Sequence, residues 1–150
     1  MRMFVKTLSC FALAAFSASA LEKEFVDQLL QAARNIERDS TNIGLATKTK
    51  KADADEVKKT VDAMSTDLTK LQELVAQFES TNPQLSDRDR AEWQLIKDKV
   101  KLLEIFHGQK QKLVAEDFSR NRGLIRAHAG GLAKRAQRLQ ETAARLQRGS

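Results

Sequence analysis

Between residues 54 and 78 every third or fourth position is apolar: Ala54, Val57, Val61, Met64, Leu68, Leu71, Val75 and Phe78. Steps of three and four alternate, and the positions between are mostly Asp, Glu, Lys, Thr and Gln. This is the a/d pattern of a heptad repeat. It puts one apolar seam along one side of a helix, and that seam must be buried against another helix. The same phase begins upstream, where Val26, Leu29, Ala33, Ile36 and Ile43 recur at heptad spacing and Phe25 and Leu30 widen the face. The track passes Thr47 and Lys50 and reaches Ala54 in register. The shared phase favours one helix from 22 to 79, about 87 Å long at 1.5 Å per residue. Against continuity stand Gly44, Thr47, Thr49 and the cluster Lys48, Lys50 and Lys51, with Asp53 or Asp55 available to cap a second helix. The expectation is a continuous helix with a soft middle.

Downstream, residues 80 to 86 (Ser-Thr-Asn-Pro-Gln-Leu-Ser) are the clearest stop. Pro83 disfavours helical geometry at Asn82. Ser86 followed by Asp89 resembles a capping box, so the chain should reverse here and restart near 87. Trp93, Ile96, Val100, Leu103 and Phe106 make the face of the next helix, and Leu95 and Leu102 broaden it toward a second neighbour. Gly108 to Lys112 is polar, after which Leu113, Val114 and Phe118 restore the face. Arg120 to Gly123 is either a turn or a stretch the helix runs through. The heptad then returns as Ile125, Ala129, Leu132, Ala136, Leu139, Ala143 and Leu146. An alanine every seventh residue lets a partner backbone approach closely. Gly130 and Gly131 interrupt this segment at about 1 kcal/mol each and read as a hinge or a further close approach.

Four periodic segments and no alternating pattern predict an all-α fold. The architecture is an antiparallel helical bundle or long coiled-coil hairpin of three to four helices. Composition agrees: 5% aromatic, no Tyr, one Pro and 31% charged residues among 150. The first twenty residues stand apart. Arg2 and Lys6 precede an apolar run from Leu8 to Phe16, and Ala18-Ser19-Ala20 is an A-x-A cleavage site. They read as a cleaved signal peptide, leaving residues 21–150 as a single helical domain that is periplasmic or secreted. Cys10, the one cysteine, leaves with the leader, so the mature chain has no disulfide and no thiolate ligand.

Charge changes the picture at the C-terminus. Residues 119–150, a basic C-terminal helix, hold Arg120, Arg122, Arg126, Lys134, Arg135, Arg138, Arg145 and Arg148 against Glu141 alone. Most charge runs are solvated helix faces. This one, beside an apolar seam, is the candidate surface for an anionic partner: a membrane, a cell-wall polymer or an acidic protein. Nucleic acid is not expected for an exported chain. The chemistry of sites is sparse. Glu104-x-x-His107 is half of a carboxylate-bridged di-iron signature, but His128 has Ile125 three residues before it and the second half is missing. The plain reading of Glu104 and His107 is an ion pair on a helix surface. A haem held by His107 and Met64 would be the other cofactor possibility, and methionine on a seam is usually core filler. No nucleophile motif, zinc-protease motif or phosphate loop is present, so no catalytic residue, cofactor or metal is assigned.

In layout the chain is similar to periplasmic helical chaperones and envelope adaptors, which are also exported, basic and rich in coiled coil. The likeness is architectural and carries no motif. The small strands at the base of the trimeric chaperone have no counterpart, since Leu21 to Phe25 is helical in pattern. The leading function is a non-enzymatic interaction or scaffold protein of the cell envelope. It would bind a protein partner, or a second copy of itself, through seams such as Val57, Val61, Met64, Leu68, Leu71, Val75 and Phe78. The alternatives are peripheral binding of an anionic membrane or polymer through the C-terminal helix, and a metal- or haem-binding bundle.

Overall fold

The computed structural model describes residues 18–49, 51–81 and 85–148, with side chains from Lys23 to Leu146 in these segments. Four helices follow one another: α1 (Ala18–Ala46), α2 (Ala54–Thr81), α3 (Asp87–Glu116) and α4 (Phe118–Arg148). The described residues contain no strand. The leader assigned to residues 1–20 lies outside them apart from Ala18–Ala20, which open α1. Each helix packs antiparallel to the next, and α4 closes the ring against α1. The result is an up-down-up-down bundle with short connections.

The long helix expected from 22 to 79 is two helices. Thr47, Lys48 and Thr49 are outside the helix, and α2 starts at Ala54. Asp53 is the cap: its Oδ1 accepts the amides of Asp55 at 2.9 Å and Glu56 at 3.3 Å. Two of the orphan donors at the start of α2 are thereby satisfied, with Asp55 and Glu56 adding negative charge at the positive end of the dipole. A shared heptad phase could not distinguish one helix from two folded back on each other. Both arrangements keep the apolar positions on one stripe.

Ser86 is the N-cap of α3, as expected. Ser86 Oγ accepts the Asp89 amide at 3.2 Å and donates to Asp89 Oδ2 at 2.7 Å. Pro83 lies outside the described residues. The reversal between α3 and α4 is at Asp117, not at Arg120 to Gly123, which are helical. Asp117 is extended (φ −158°, ψ 98°) and caps both ways. Its Oδ1 accepts the Arg120 amide at 3.0 Å, its carbonyl accepts the Asn121 amide at 2.9 Å, and Asn121 Nδ2 returns to the Leu113 carbonyl at 3.1 Å.

At the end of the bundle that holds the α2–α3 turn, Phe25, Phe78 and Trp93 cluster, with ring centroids 4.2–5.7 Å apart. The α2 seam is buried at Val57, Val61, Met64, Leu68, Leu71 and Phe78. Ala54 is exposed, and Val75 is half-buried while Leu74 takes the core position. α4 lies closest to its neighbours. Ile125, Ala129, Leu132, Ala136, Leu139 and Ala143 are all fully buried, and the alanines let the backbones of α1 and α3 come near. The helix called basic in sequence is therefore docked, with Gly130 and Gly131 inside it. Neither glycine is a hinge, and Gly130 has nothing within 4 Å of where a Cβ would stand, so it is no close approach either.

Candidate functional site

Two places concentrate polar chemistry: a layer inside the core and the outer face of α4. The core layer comes from α1, α2 and α3. The face of α3 runs Trp93, Ile96, Val100, Leu103 and then continues in the same steps of four and three to His107 and Lys110, both buried. Phe106, the expected continuation, is only half-buried. Lys110 is fully buried, and its Nζ donates to Met64 Sδ at 3.0 Å. Ser40 Oγ points at the same sulfur at 3.9 Å. A thioether is a weak acceptor, so it serves an ammonium poorly. Burial pushes the Lys110 amine down to about 7, partly opposed by the charge of Asp39. Asp39 itself is buried and accepts from Arg38 Nε at 2.9 Å.

His107 is buried one turn before Lys110, and its Nε2 lies 2.9 Å from Ser65 Oγ of α2. Gln111 Nε2 donates to the same hydroxyl at 3.0 Å. Burial, reinforced by the Lys110 charge and opposed by Asp62, pushes the imidazole down to about 4. It is neutral at pH 7. The arrangement that places the most protons has His107 Nε2–H donating to Ser65 and the Ser65 hydroxyl turned to the Val61 carbonyl at 3.5 Å. His107 Nδ1, buried and unpartnered among the described residues, is then a bare lone pair.

The ion pair expected between Glu104 and His107 does not form. Glu104 is exposed while His107 is turned inward to α2, so the two do not make half a metal site. The His128 ring packs on Phe106, with centroids 5.9 Å apart. Met64 shares the layer with His107, as the haem reading required, but the sulfur is occupied by Lys110 and Ser40. Among the described residues no three His, Cys, Asp or Glu side chains group as metal ligands.

The eight basic residues of α4 divide into two sets. Arg122 is half-buried and its Nη1 donates to the Thr49 carbonyl at 3.0 Å, tying α4 to the α1–α2 loop. Arg135 lies flat on Phe106, 3.5 Å from the ring centroid, and donates to the Gly131 carbonyl at 3.0 Å. Arg145 reaches Glu92 of α3 at 3.4 Å. These three hold helices together. Arg120, Arg126, Lys134 and Arg138 are exposed and make no ion pair among the described residues. The side chain of Arg148, the last residue of α4, lies outside the described residues.

No family model matches the chain, and neither a curated protein nor a solved structure matches it. No helix of the described residues is long and apolar enough to cross a membrane.

Proposed function

We propose that this protein is an exported, non-enzymatic interaction bundle of the cell envelope and that it meets an anionic partner with the outer face of α4. One observation carries the reading: α4 is docked by a fully buried seam, yet Arg120, Arg126, Lys134 and Arg138 stand free along its solvent side. Both signs of charge are usually mixed on an ordinary protein surface, and here the carboxylate among them is Glu141 alone. The core chemistry supports the non-enzymatic part. Lys110 and His107 have the shifted proton affinities of reactive groups, but both are closed from solvent and a substrate could not meet them. Export rests on the leader in the sequence. Cleavage after Ala20 would remove only Ala18–Ala20 from α1, upstream of Phe25, the first core residue among those whose side chains are described.

Retention on phosphocellulose tests the surface. Arg126→Gln/Lys134→Gln/Arg138→Gln should elute at clearly lower salt than the wild type, while Lys58→Gln/Lys59→Gln on α2 should elute as a smaller shift. Equal shifts for the two sets would mean that charge alone, not this face, governs contact. Recovery of secreted or periplasmic protein beginning at Leu21 tests export, and a chain retaining Met1 would overturn it.

A further inference from the structure

The partner can be named more closely, on the reading that α4 is the contact surface, because apolar side chains stand exposed beside the free cations. On α3, residues 92, 95, 99, 102 and 106 fall in one row at steps of three and four. The two ends of that row touch α4: Glu92 takes Arg145, and Phe106 takes Arg135 and His128. Leu95 and Leu102 therefore flank α4, and they remain 42% and 44% exposed. Ile105, one turn from Leu102, is 46% exposed. On α4, residues 124, 128, 131, 135, 138, 142 and 145 make the facing row through the same three contacts, and Leu124 in it is 55% exposed. Arg120, Lys134 and Arg138 stand next to or within this row on the solvent side. The α3–α4 face thus presents half-exposed Leu and Ile side chains alternating with free cations, with Asp98, Glu116 and Glu141 the exposed carboxylates among them and Glu92 paired to Arg145.

The whole molecule is polarised in the same sense. The helices α1 and α2 hold eleven acidic and six basic residues, whereas α3 and α4 hold seven acidic and fifteen basic. An anionic plane would orient the bundle with the α3–α4 hairpin against it and the α1–α2 hairpin away.

We propose that the α3–α4 face is a docking surface for an anionic lipid bilayer, with Leu95, Leu102, Ile105 and Leu124 entering the headgroup layer and Arg120, Lys134 and Arg138 meeting lipid phosphates. Charge complementarity selects the anionic plane. The leucines select a bilayer over a soluble polyanion, which has nothing apolar to offer them. The bundle lies on the surface as a rigid body, since α4 has no hinge and keeps its seam buried.

Flotation of the full chain with vesicles tests this. The vesicles are phosphatidylcholine with or without phosphatidylglycerol, each at low and high salt. The wild type should float with the anionic vesicles, weakly at high salt, and stay behind with the neutral ones. Arg120→Gln/Lys134→Gln/Arg138→Gln should lose on the order of a hundredfold in partitioning, since each cation near a charged surface is worth about fivefold. Leu95→Gln/Leu102→Gln/Ile105→Gln should lose about tenfold while keeping wild-type retention on phosphocellulose. All the substitutions are at exposed positions, and circular dichroism melts check that they leave the fold intact. The bilayer proposal is overturned if the leucine variant floats as well as the wild type, or if neutral vesicles bind equally. Failure of the wild type to float at all also overturns it. In that last case phosphocellulose retention separates the two ideas: if it still depends on the α4 cations, the surface stands and its partner is a soluble or protein polyanion.

Discussion

At the scale of single residues, Lys110 and His107 are the costly features of the core. The usual amine titrates near 10.5 and that of Lys110 near 7. Above pH 10.5 the amine is neutral folded or unfolded, and its burial carries no ionisation penalty. As pH falls the unfolded chain takes up a proton that the folded chain resists, so stability declines until about pH 7 and the loss is then complete. The shift corresponds to a loss on the order of 5 kcal/mol. His107 acts lower: its folded value near 4 against the ordinary 6.5 removes stability as pH falls from 6.5 to 4, about 3 kcal/mol in all. Lys110→Met should therefore stabilise the protein at pH 7 by about 1–4 kcal/mol and flatten its melting temperature between pH 7 and 10. The acid limb below pH 6.5 should persist, because it belongs to His107. A fall in melting temperature at pH 7 for this variant would mean that Lys110 is buried as a satisfied cation. The signal for both residues was present in the chain. The steps 93, 96, 100, 103, 107 and 110 continue one face, but a reader who follows apolar letters turns aside to Phe106. The polar layer is a violation of the hydrophobic pattern, and only the register shows it.

Among the elements, the seams were legible and most ends were not. Leu68, Leu71 and Met64 on α2 and the Ile125–Leu146 track on α4 are buried where heptad spacing placed them. Helix ends depend on single side chains that take up orphan amides: Asp53 is a cap candidate in the sequence, but the shared heptad phase outweighs it, and Asp117 looks like any exposed aspartate until the chain around it is seen to turn. Leu95 and Leu102 were placed on a buried flank, whereas α4, narrowed by its alanines, leaves them half in solvent. The glycines of α4 give a sharper lesson. Gly130 reads as a hinge but sits mid-helix on the exposed side, with open space where a Cβ would go. Gly130→Ala should add about 1 kcal/mol, or roughly 4 °C in melting temperature for a chain of this size. Gly131→Ala should add less, because its Cβ would meet Arg135 Nη1 at 3.1 Å and disturb the guanidinium held over Phe106. Thermal melts of the two variants check the order, and an unchanged or lower melting temperature for Gly130→Ala would show that the helix bends there.

For the molecule as a whole, the α4 helix is both the proposed contact face and the part that closes the bundle. Its inner seam fills the space between α1 and α3, where Leu29, Ala33, Ile36, Ile96 and Leu103 are fully buried or nearly so. Removing everything after Phe118 would uncover those residues together with the mates of Ile125, Leu132 and Leu139. Each fully buried large aliphatic side chain is worth about 1.5–3 kcal/mol, so the three alone match the whole stability of an ordinary domain, about 5–15 kcal/mol. A chain ending at Phe118 should therefore lose cooperative unfolding and bind a hydrophobic dye. It should not behave as a three-helix body stripped of its charge. Leu71→Asp, which buries one unpaired carboxylate in the core, should fail in the same way, since an unpaired buried charge costs several kcal/mol. Circular dichroism melts decide both cases. A sharp transition near the wild-type temperature in the shortened chain would mean that α1 to α3 fold alone and that α4 is an appendage. The seam argues against this outcome, because Ala129, Ala136 and Ala143 are buried on the same line as the larger residues. Alanine at those positions makes sense only if neighbouring backbones are held against it.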